Sequence, residues 1–148
     1  MEVRDYECDI EGIVNNANYL HYMEHTRHLF LKECGLSFAE MHNKGVDAVV
    51  ARMNLQYKVP LQCDDEFLSR LWLEKQGVRY VFHQDIFRAS DEKLCLKATV
   101  TPCFFAISFI RYTACFLYIL HIFCQMTSVF ICKHLMYFYF FHVLPASQ

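Results

Sequence analysis

The residues best suited to chemistry lie in a short polar segment near the N-terminus. Asp9, Gly12, Asn15, Asn16 and Tyr19 occur together in the stretch DIEGIVNNANY. The carboxylate of Asp9 is a candidate general base or nucleophile, since a carboxylate can activate water or attack a carbonyl carbon itself. Gly12 permits a tight loop and a close approach of substrate to the backbone. The segment therefore predicts acid–base or nucleophilic chemistry in a loop.

A long helix is predicted directly after this loop. Asn15 and Asn16 are both typical N-cap residues, and apolar side chains then recur at helical spacing over residues 17–34, up to the stop residue Gly35. The free N–H groups and positive dipole end of such a helix would polarise a carbonyl placed near Asp9. The expected buried stripe consists of Tyr19, Met23, Thr26, Phe30 and Cys34.

Four strand patterns follow the helix. The stretches 46–59, 66–75 and 80–88 each end at turn residues, and we expect them to pair as an antiparallel meander. Residues 94–101 alternate apolar and polar side chains, which predicts a fourth strand. Residues 1–6 are interpreted as the end of an earlier strand. A helix lying across the apolar face of an antiparallel sheet makes the predicted fold class α+β.

Composition excludes several classes of protein. A chain of 148 residues is long enough for one ordinary domain. The net charge of -2, with no basic run, argues against a nucleic-acid partner. The eight cysteines form no CxxC motif, which favours a reducing compartment over a disulfide scaffold. The N-terminal residues resemble neither a secretory signal nor a transit peptide, so we expect a cytosolic protein or one whose leader is missing here.

The chain changes character near Pro102. Of its 30 charged residues, 28 precede that proline, whereas 13 of its 24 aromatic residues follow. Residues 112–132 carry no charged side chain and would be long enough as a helix to cross roughly 30 Å of hydrocarbon. The interpretation we favour over a membrane contact is a translated non-coding stretch, such as a retained intron. The predicted division is a functional domain over 1–101 and an aberrant tail over 102–148.

The loop and helix together resemble a known family. The stretch DIEGIVNNANY matches the D-x-x-G-x-V-N-N-x-x-Y signature of hotdog-fold thioesterases of the 4-hydroxybenzoyl-CoA thioesterase type. Over residues 1–101 the chain resembles plant acyl-lipid thioesterases, including methylketone-synthase-type acyl-ACP thioesterases. The resemblance implies a hotdog fold, in which an antiparallel sheet wraps a long central helix, with the final strand lacking here. It also implies hydrolysis of fatty acyl or β-ketoacyl thioesters without a cofactor.

The resemblance further implies roles, partners and a location. Asp9 matches the catalytic carboxylate of the family, and the positions expected to contact substrate or orient the loop are Gly12, Asn15, Asn16 and Tyr19. The implied substrate carrier is acyl-carrier protein or CoA. The implied assembly is a homodimer or homotetramer in which two subunits join their sheets, and the implied location is the plastid.

Other interpretations stay open. An aspartate before a helix is often only a turn residue, and the odd tail suggests a truncated, non-catalytic isoform or an interaction module. The stretch HYMEH also matches the H-x-x-E-H zinc motif, in which His21 and His25 would bind the metal and Glu24 would act as base. No metal is expected, because so short a motif arises easily in a histidine-rich helix. Cys34 and Cys95 are interpreted as structural residues.

Overall fold

The computed structural model describes residues 1–77 and 79–106. A short 3-10 turn, two helices and an antiparallel sheet make up this part of the chain. The turn is Asp5–Glu7, the helices are α1 (Asn16–Glu33) and α2 (Phe38–Asn43), and the strands are β1 (Val46–Tyr57), β2 (Phe67–Gln76), β3 (Arg79–Arg88) and β4 (Leu94–Ala106).

Helix α1 begins and ends at the residues that favour helix termini. The side-chain oxygen of Asn15 accepts a hydrogen bond from the Ala17 N–H, so Asn15 rather than Asn16 is the N-cap. At the other end Gly35 takes a φ of +72°, and the Leu36 N–H donates to the Leu31 carbonyl at 2.9 Å. This pattern is a Schellman cap, which needs the left-handed backbone that glycine adopts most easily.

The predicted buried stripe of α1 is confirmed with one difference. Tyr19, Met23, Thr26 and Cys34 are buried, whereas Phe30 is only partly buried. Met23 is fully buried, and its carbonyl accepts a hydrogen bond from the side chain of Gln84 on β3. The helical period therefore identified the face of α1 that packs on the strands.

The four strands form one sheet in the order β1-β4-β3-β2. The meander consists of β2, β3 and β4, and β1 pairs with β4 at one side of it. The prediction that β1, β2 and β3 form a meander is therefore wrong. Alternating side chains define the two faces of a strand but not its neighbour, and the pairing of β1 with β4 joins segments far apart in sequence.

Strand β4 is longer than predicted. It continues five residues beyond Thr101 to Ala106, and Pro102 lies opposite Val50 in the pairing with β1. A proline cannot donate to a strand ladder, so a proline inside a strand is usually found at an edge or an irregularity. The β1–β4 register shifts between Val50 and Arg52, and this irregularity lies beside the proline. The predicted domain boundary after residue 101 thus falls within β4.

The first residues pair only briefly with the sheet. Glu2 forms an antiparallel bridge with Glu66, and the Val3 N–H donates to the Asp65 carbonyl at 2.9 Å. The chain then turns at Asp5–Glu7. The strand interpretation of residues 1–6 holds only for the bridge at Glu2 and is wrong for Asp5 and Tyr6.

The helix-facing side of the sheet contains two clusters of buried residues. The N-terminal core cluster surrounds the first half of α1, and the C-terminal core cluster surrounds its second half and α2. The N-terminal cluster includes Val14, Tyr19, Tyr22, Met23, Leu61 and Phe67, and the C-terminal cluster includes Leu31, Leu36, Met41, Phe82 and Val100. Each fully buried side chain of this size contributes roughly 1.5–3 kcal/mol through the hydrophobic effect.

Residues 112–132, the uncharged stretch long enough to cross a membrane as a helix, lie outside the described residues. Neither helix in the described part of the chain is both long and apolar enough to cross a bilayer.

Candidate active site

The loop formed by residues 7–15 is closed at its base by backbone hydrogen bonds. Cys8 and Val14 form an antiparallel bridge, and the Asn15 N–H donates to the Glu7 carbonyl at 3.0 Å. Inside this bridge the Asp9 N–H donates to the Ile13 carbonyl at 2.8 Å. Since Ile13 stands two residues before the N-cap of α1, the bridge brings Asp9 to the start of the helix.

One oxygen of the Asp9 carboxylate is held by the turn at the tip of this loop. Oδ1 accepts a hydrogen bond from the Glu11 N–H at 3.0 Å and a longer one from the Ile13 N–H at 3.4 Å. The Gly12 N–H donates to the Asp9 carbonyl at 3.0 Å, and the φ of +74° at Gly12 explains the glycine. Within the described part of the chain, Oδ2 has no hydrogen-bond partner. The second oxygen is therefore available to a water molecule or a substrate.

The first turn of α1 offers fewer unpaired N–H groups than we expected. The Ala17 N–H donates to the Asn15 side chain, and the Asn18 N–H donates to the Asn15 carbonyl at 2.9 Å. Of the first three helical N–H groups, only that of Asn16 lacks a partner among the described residues. Asn16 is exposed, and its carbonyl accepts a hydrogen bond from the Tyr57 hydroxyl at 3.1 Å.

Tyr19 lies in the core beneath the loop. Its side chain is only 3% exposed, and its hydroxyl accepts a hydrogen bond from the Leu61 N–H at 3.0 Å. The carbonyl of Leu61 in turn accepts from the Val14 N–H at 2.9 Å. Tyr19 is thus hydrogen-bonded to the segment that supports the loop.

Sequence analysis missed a second set of contacts, centred on Glu7. The Tyr22 hydroxyl donates to Glu7 Oε2 at 2.7 Å, and the Asn18 side-chain amide donates to the Glu7 carbonyl at 2.7 Å. Burial raises the pKa of the Tyr22 hydroxyl, and the hydrogen bond to the Glu7 carboxylate raises it further. Tyr22 therefore remains a proton donor at neutral pH. Its spacing from Tyr19 marks it as a residue of the buried face, but nothing in the sequence marks Glu7.

Cys8, the residue before Asp9, is poorly suited to be a nucleophile. Burial raises the pKa of its thiol, and the negative charge of Asp9 raises it further. A thiol with a raised pKa is protonated at neutral pH, whereas nucleophilic cysteines need the thiolate. Cys34 and Cys95 are buried in the core clusters, as their interpretation as structural residues requires.

The three candidate zinc-site residues of the HYMEH motif lie on the solvent side of α1. His21, Glu24 and His25 are all exposed. No group of three candidate metal ligands gathers anywhere in residues 1–77 and 79–106.

The sequence profile of the Thioesterase-like superfamily matches residues 3–132. The protein ATL3 of Arabidopsis thaliana, a chloroplastic acyl-acyl carrier protein thioesterase, is 31% identical over 99 residues, which are 66% of this chain and 52% of that protein. YneP of Bacillus subtilis, a proposed acyl-CoA thioesterase, is 37% identical over 100 residues, which are 67% of this chain and 72% of YneP. The chain thus spans about half the length of its Arabidopsis relative.

Solved structures share the fold. The DHNA-CoA thioesterase of Staphylococcus aureus superposes with a TM-score of 0.74 at 19% identity, covering 92% of this chain and 93% of that one. The Aquifex aeolicus protein AQ1494 superposes with a TM-score of 0.66 at 28% identity, covering 78% of this chain and 95% of that one. The profile match extends well beyond half of the chain, and the chain therefore belongs to the thioesterase-like superfamily and has its α+β hotdog fold.

Proposed function

We propose that this protein hydrolyses acyl thioesters and that Asp9 is its catalytic carboxylate. The observation that carries the proposal is the way hydrogen bonds hold the Asp9 carboxylate, in a chain that belongs to the thioesterase-like superfamily. Its Oδ1 is held by two backbone N–H groups of the loop that precedes α1, and Oδ2 has no hydrogen-bond partner among the described residues. A carboxylate fixed in this way needs no reorganisation when it reacts.

Two routes use this geometry. In the first, Asp9 takes a proton from a water molecule whose oxygen attacks the thioester carbonyl. In the second, Asp9 attacks the carbonyl itself, and water then hydrolyses the resulting acyl anhydride. In both routes the C–S bond breaks, the thiol leaves with a proton, and the free acid forms. The Asn16 N–H and the positive end of α1 would stabilise the oxyanion in either route.

The other residues predicted for the site support Asp9 and the start of α1. Gly12 allows the turn that holds Asp9, and Asn15 fixes the first turn of α1. Asn16 contributes its backbone N–H, and Tyr19 anchors the helix under the loop.

The substrates we propose are fatty acyl or β-ketoacyl groups carried by acyl-carrier protein or CoA. Support comes from the relatives, whose names include an acyl-acyl carrier protein thioesterase and a proposed acyl-CoA thioesterase. We propose a plastid location on the same basis, since the names of ATL3 and ATL2 both include the chloroplast.

We propose a homodimer or homotetramer joined through the sheet. Strand β1 forms one side of the sheet, and no described strand pairs with its outer edge. Val49, Val50 and Tyr57 on β1 are each nearly half exposed. A long edge strand with apolar side chains favours pairing with another chain. Sedimentation equilibrium should give a dimeric or tetrameric mass, and a monomer at every concentration would contradict this assembly.

The central test is Asp9→Asn. Asparagine keeps an oxygen that accepts from the Glu11 and Ile13 N–H groups, so the turn should persist while the basic, nucleophilic carboxylate is lost. We expect kcat on acyl-CoA and acyl-carrier-protein thioesters to fall by about 10²–10⁴-fold, the usual contribution of a positioned general base. The melting temperature should stay near that of the wild type.

The matched control is Glu11→Gln, which removes a neighbouring exposed carboxylate from the same turn. This variant should retain wild-type turnover. If Asp9→Asn hydrolyses the thioesters as fast as the wild type, Asp9 is only a turn residue and the proposed role is wrong.

A further inference from the structure

A groove lies at the far end of α1 from the Asp9 loop. It is open to the surface, and the space between its walls, including the part that is open to solvent, is about 450 Å³. Side chains from both helices and three strands form its walls, and nearly all of them are apolar. They include Leu31, Phe38, Met41, Val50, Phe82 and Phe104. Such a lining fits a hydrocarbon chain.

Arg27 is the one charged residue among those that line the groove. It is only 7% exposed, although it carries a full positive charge. One guanidinium nitrogen, Nη1, donates to the Gln84 side-chain oxygen at 2.8 Å. The Gln84 amide nitrogen donates in turn to the Met23 carbonyl at 3.0 Å. These two bonds fix the guanidinium at the groove wall.

The charge of Arg27 has no carboxylate partner among the described residues. Burial lowers the pKa of Arg27, and Glu24 opposes this only from a distance, because no ion pair joins the two. Buried charges in proteins are usually paired. The neutral Gln84 satisfies one of the five N–H groups of the guanidinium and leaves its charge uncompensated.

We propose that Arg27 and this groove bind a free carboxylic acid with an alkyl chain. The carboxylate would pair with the guanidinium and the chain would lie along the apolar walls. Arginine is well suited to this contact, because its planar fork donates two parallel hydrogen bonds to a carboxylate. An uncharged alkyl compound would fill the same walls but leave the buried charge uncompensated.

This site is separate from the proposed catalytic loop. Arg27 follows the N-cap Asn15 by twelve helical positions, which correspond to about 18 Å along the axis at 1.5 Å per residue. Binding at Arg27 therefore does not depend on Asp9. If the protein is a thioesterase, the acids bound here belong to the class of compound that hydrolysis releases.

The test compares decanoate with decanol, which have the same chain and different head groups. Calorimetric titration of the full chain at neutral pH should show decanoate binding at least about 10-fold tighter, as expected for hydrogen bonds to a charged partner. Arg27→Gln should remove this preference by weakening decanoate alone, and Arg27→Lys should preserve part of it. Equal affinity of the wild type for the two ligands would overturn the proposal without any variant.

Two further variants distinguish binding at Arg27 from a general effect of net charge and from binding at the catalytic loop. Arg52→Gln removes an exposed arginine of β1 and should leave the preference for decanoate unchanged. If it abolishes the preference as Arg27→Gln does, the effect is one of net charge and the proposed site is wrong. Asp9→Asn should bind decanoate like the wild type whether or not it hydrolyses thioesters, so the two proposals fail independently.

Discussion

The two ends of α1 are built in different ways. At the N-terminal end, polar groups of the loop and helix contact one another at short range, and Glu7 alone receives bonds from Tyr22, Asn15 and Asn18. At the C-terminal end, apolar side chains surround a groove with a single buried guanidinium, that of Arg27. The first arrangement fixes a reactive group in place, whereas the second leaves space and an uncompensated charge. The difference matches the two proposals, which place catalysis at one end and ligand binding at the other.

The largest predicted effects concern core packing, and they test whether it stabilises both ends of α1 equally. Met23 and Met41 are fully buried, one in each core cluster. Either residue changed to alanine should lower the free energy of unfolding by about 3 kcal/mol, since the lost contacts leave a cavity. Urea denaturation followed by circular dichroism measures this loss. A cost below about 1 kcal/mol at one site would mean that packing contributes little at that end.

The same pair of variants also tests the function of each end. Met41 lines the groove and Met23 does not. Only Met41→Ala should therefore alter the affinity for decanoate, measured under conditions where both variants remain folded.

The next prediction concerns the contact between Tyr22 and Glu7. Tyr22→Phe removes a hydrogen bond to a charged group and should cost about 2 kcal/mol of stability. Because burial raises the pKa of Tyr22 in the folded protein, its stabilising effect should be complete below the ordinary tyrosine pKa of about 10 and decline above it. Chemical denaturation of the wild type and Tyr22→Phe at several pH values measures both effects.

A double-mutant cycle makes this prediction specific. Glu7→Ala combined with Tyr22→Phe should cost less than the sum of the two single changes, because both remove the same contact. Additive costs would show that the hydroxyl and the carboxylate do not act together.

How well the structure can be predicted from the sequence depends on how far apart in sequence the interacting residues lie. The cap at Asn15, the stop at Gly35 and the buried face of α1 are determined by residues close in sequence, and all three were predicted. The Asp9 turn is local in the same sense. Two other features are not local. Strand β1 pairs with β4, and Arg27 donates a hydrogen bond to Gln84, and each contact joins residues distant in sequence. Position 27 follows Met23 by four residues and so adjoins the predicted stripe, but its charge gave no reason to expect that Arg27 would be buried.

The smallest predicted effects compare the caps of the two helices. Asn15 caps α1 through the Ala17 N–H, and Ser37 caps α2 through the Glu40 N–H at 3.1 Å. Changing either residue to alanine should cost about 1 kcal/mol, measured by thermal or urea unfolding. The two variants should differ in catalysis, because only Asn15 adjoins the Asp9 loop. Asn15→Ala should therefore reduce thioester turnover and Ser37→Ala should not. Equal turnover by both would mean that the loop bonds of Glu7 alone position Asp9, and that the helix cap contributes only to stability.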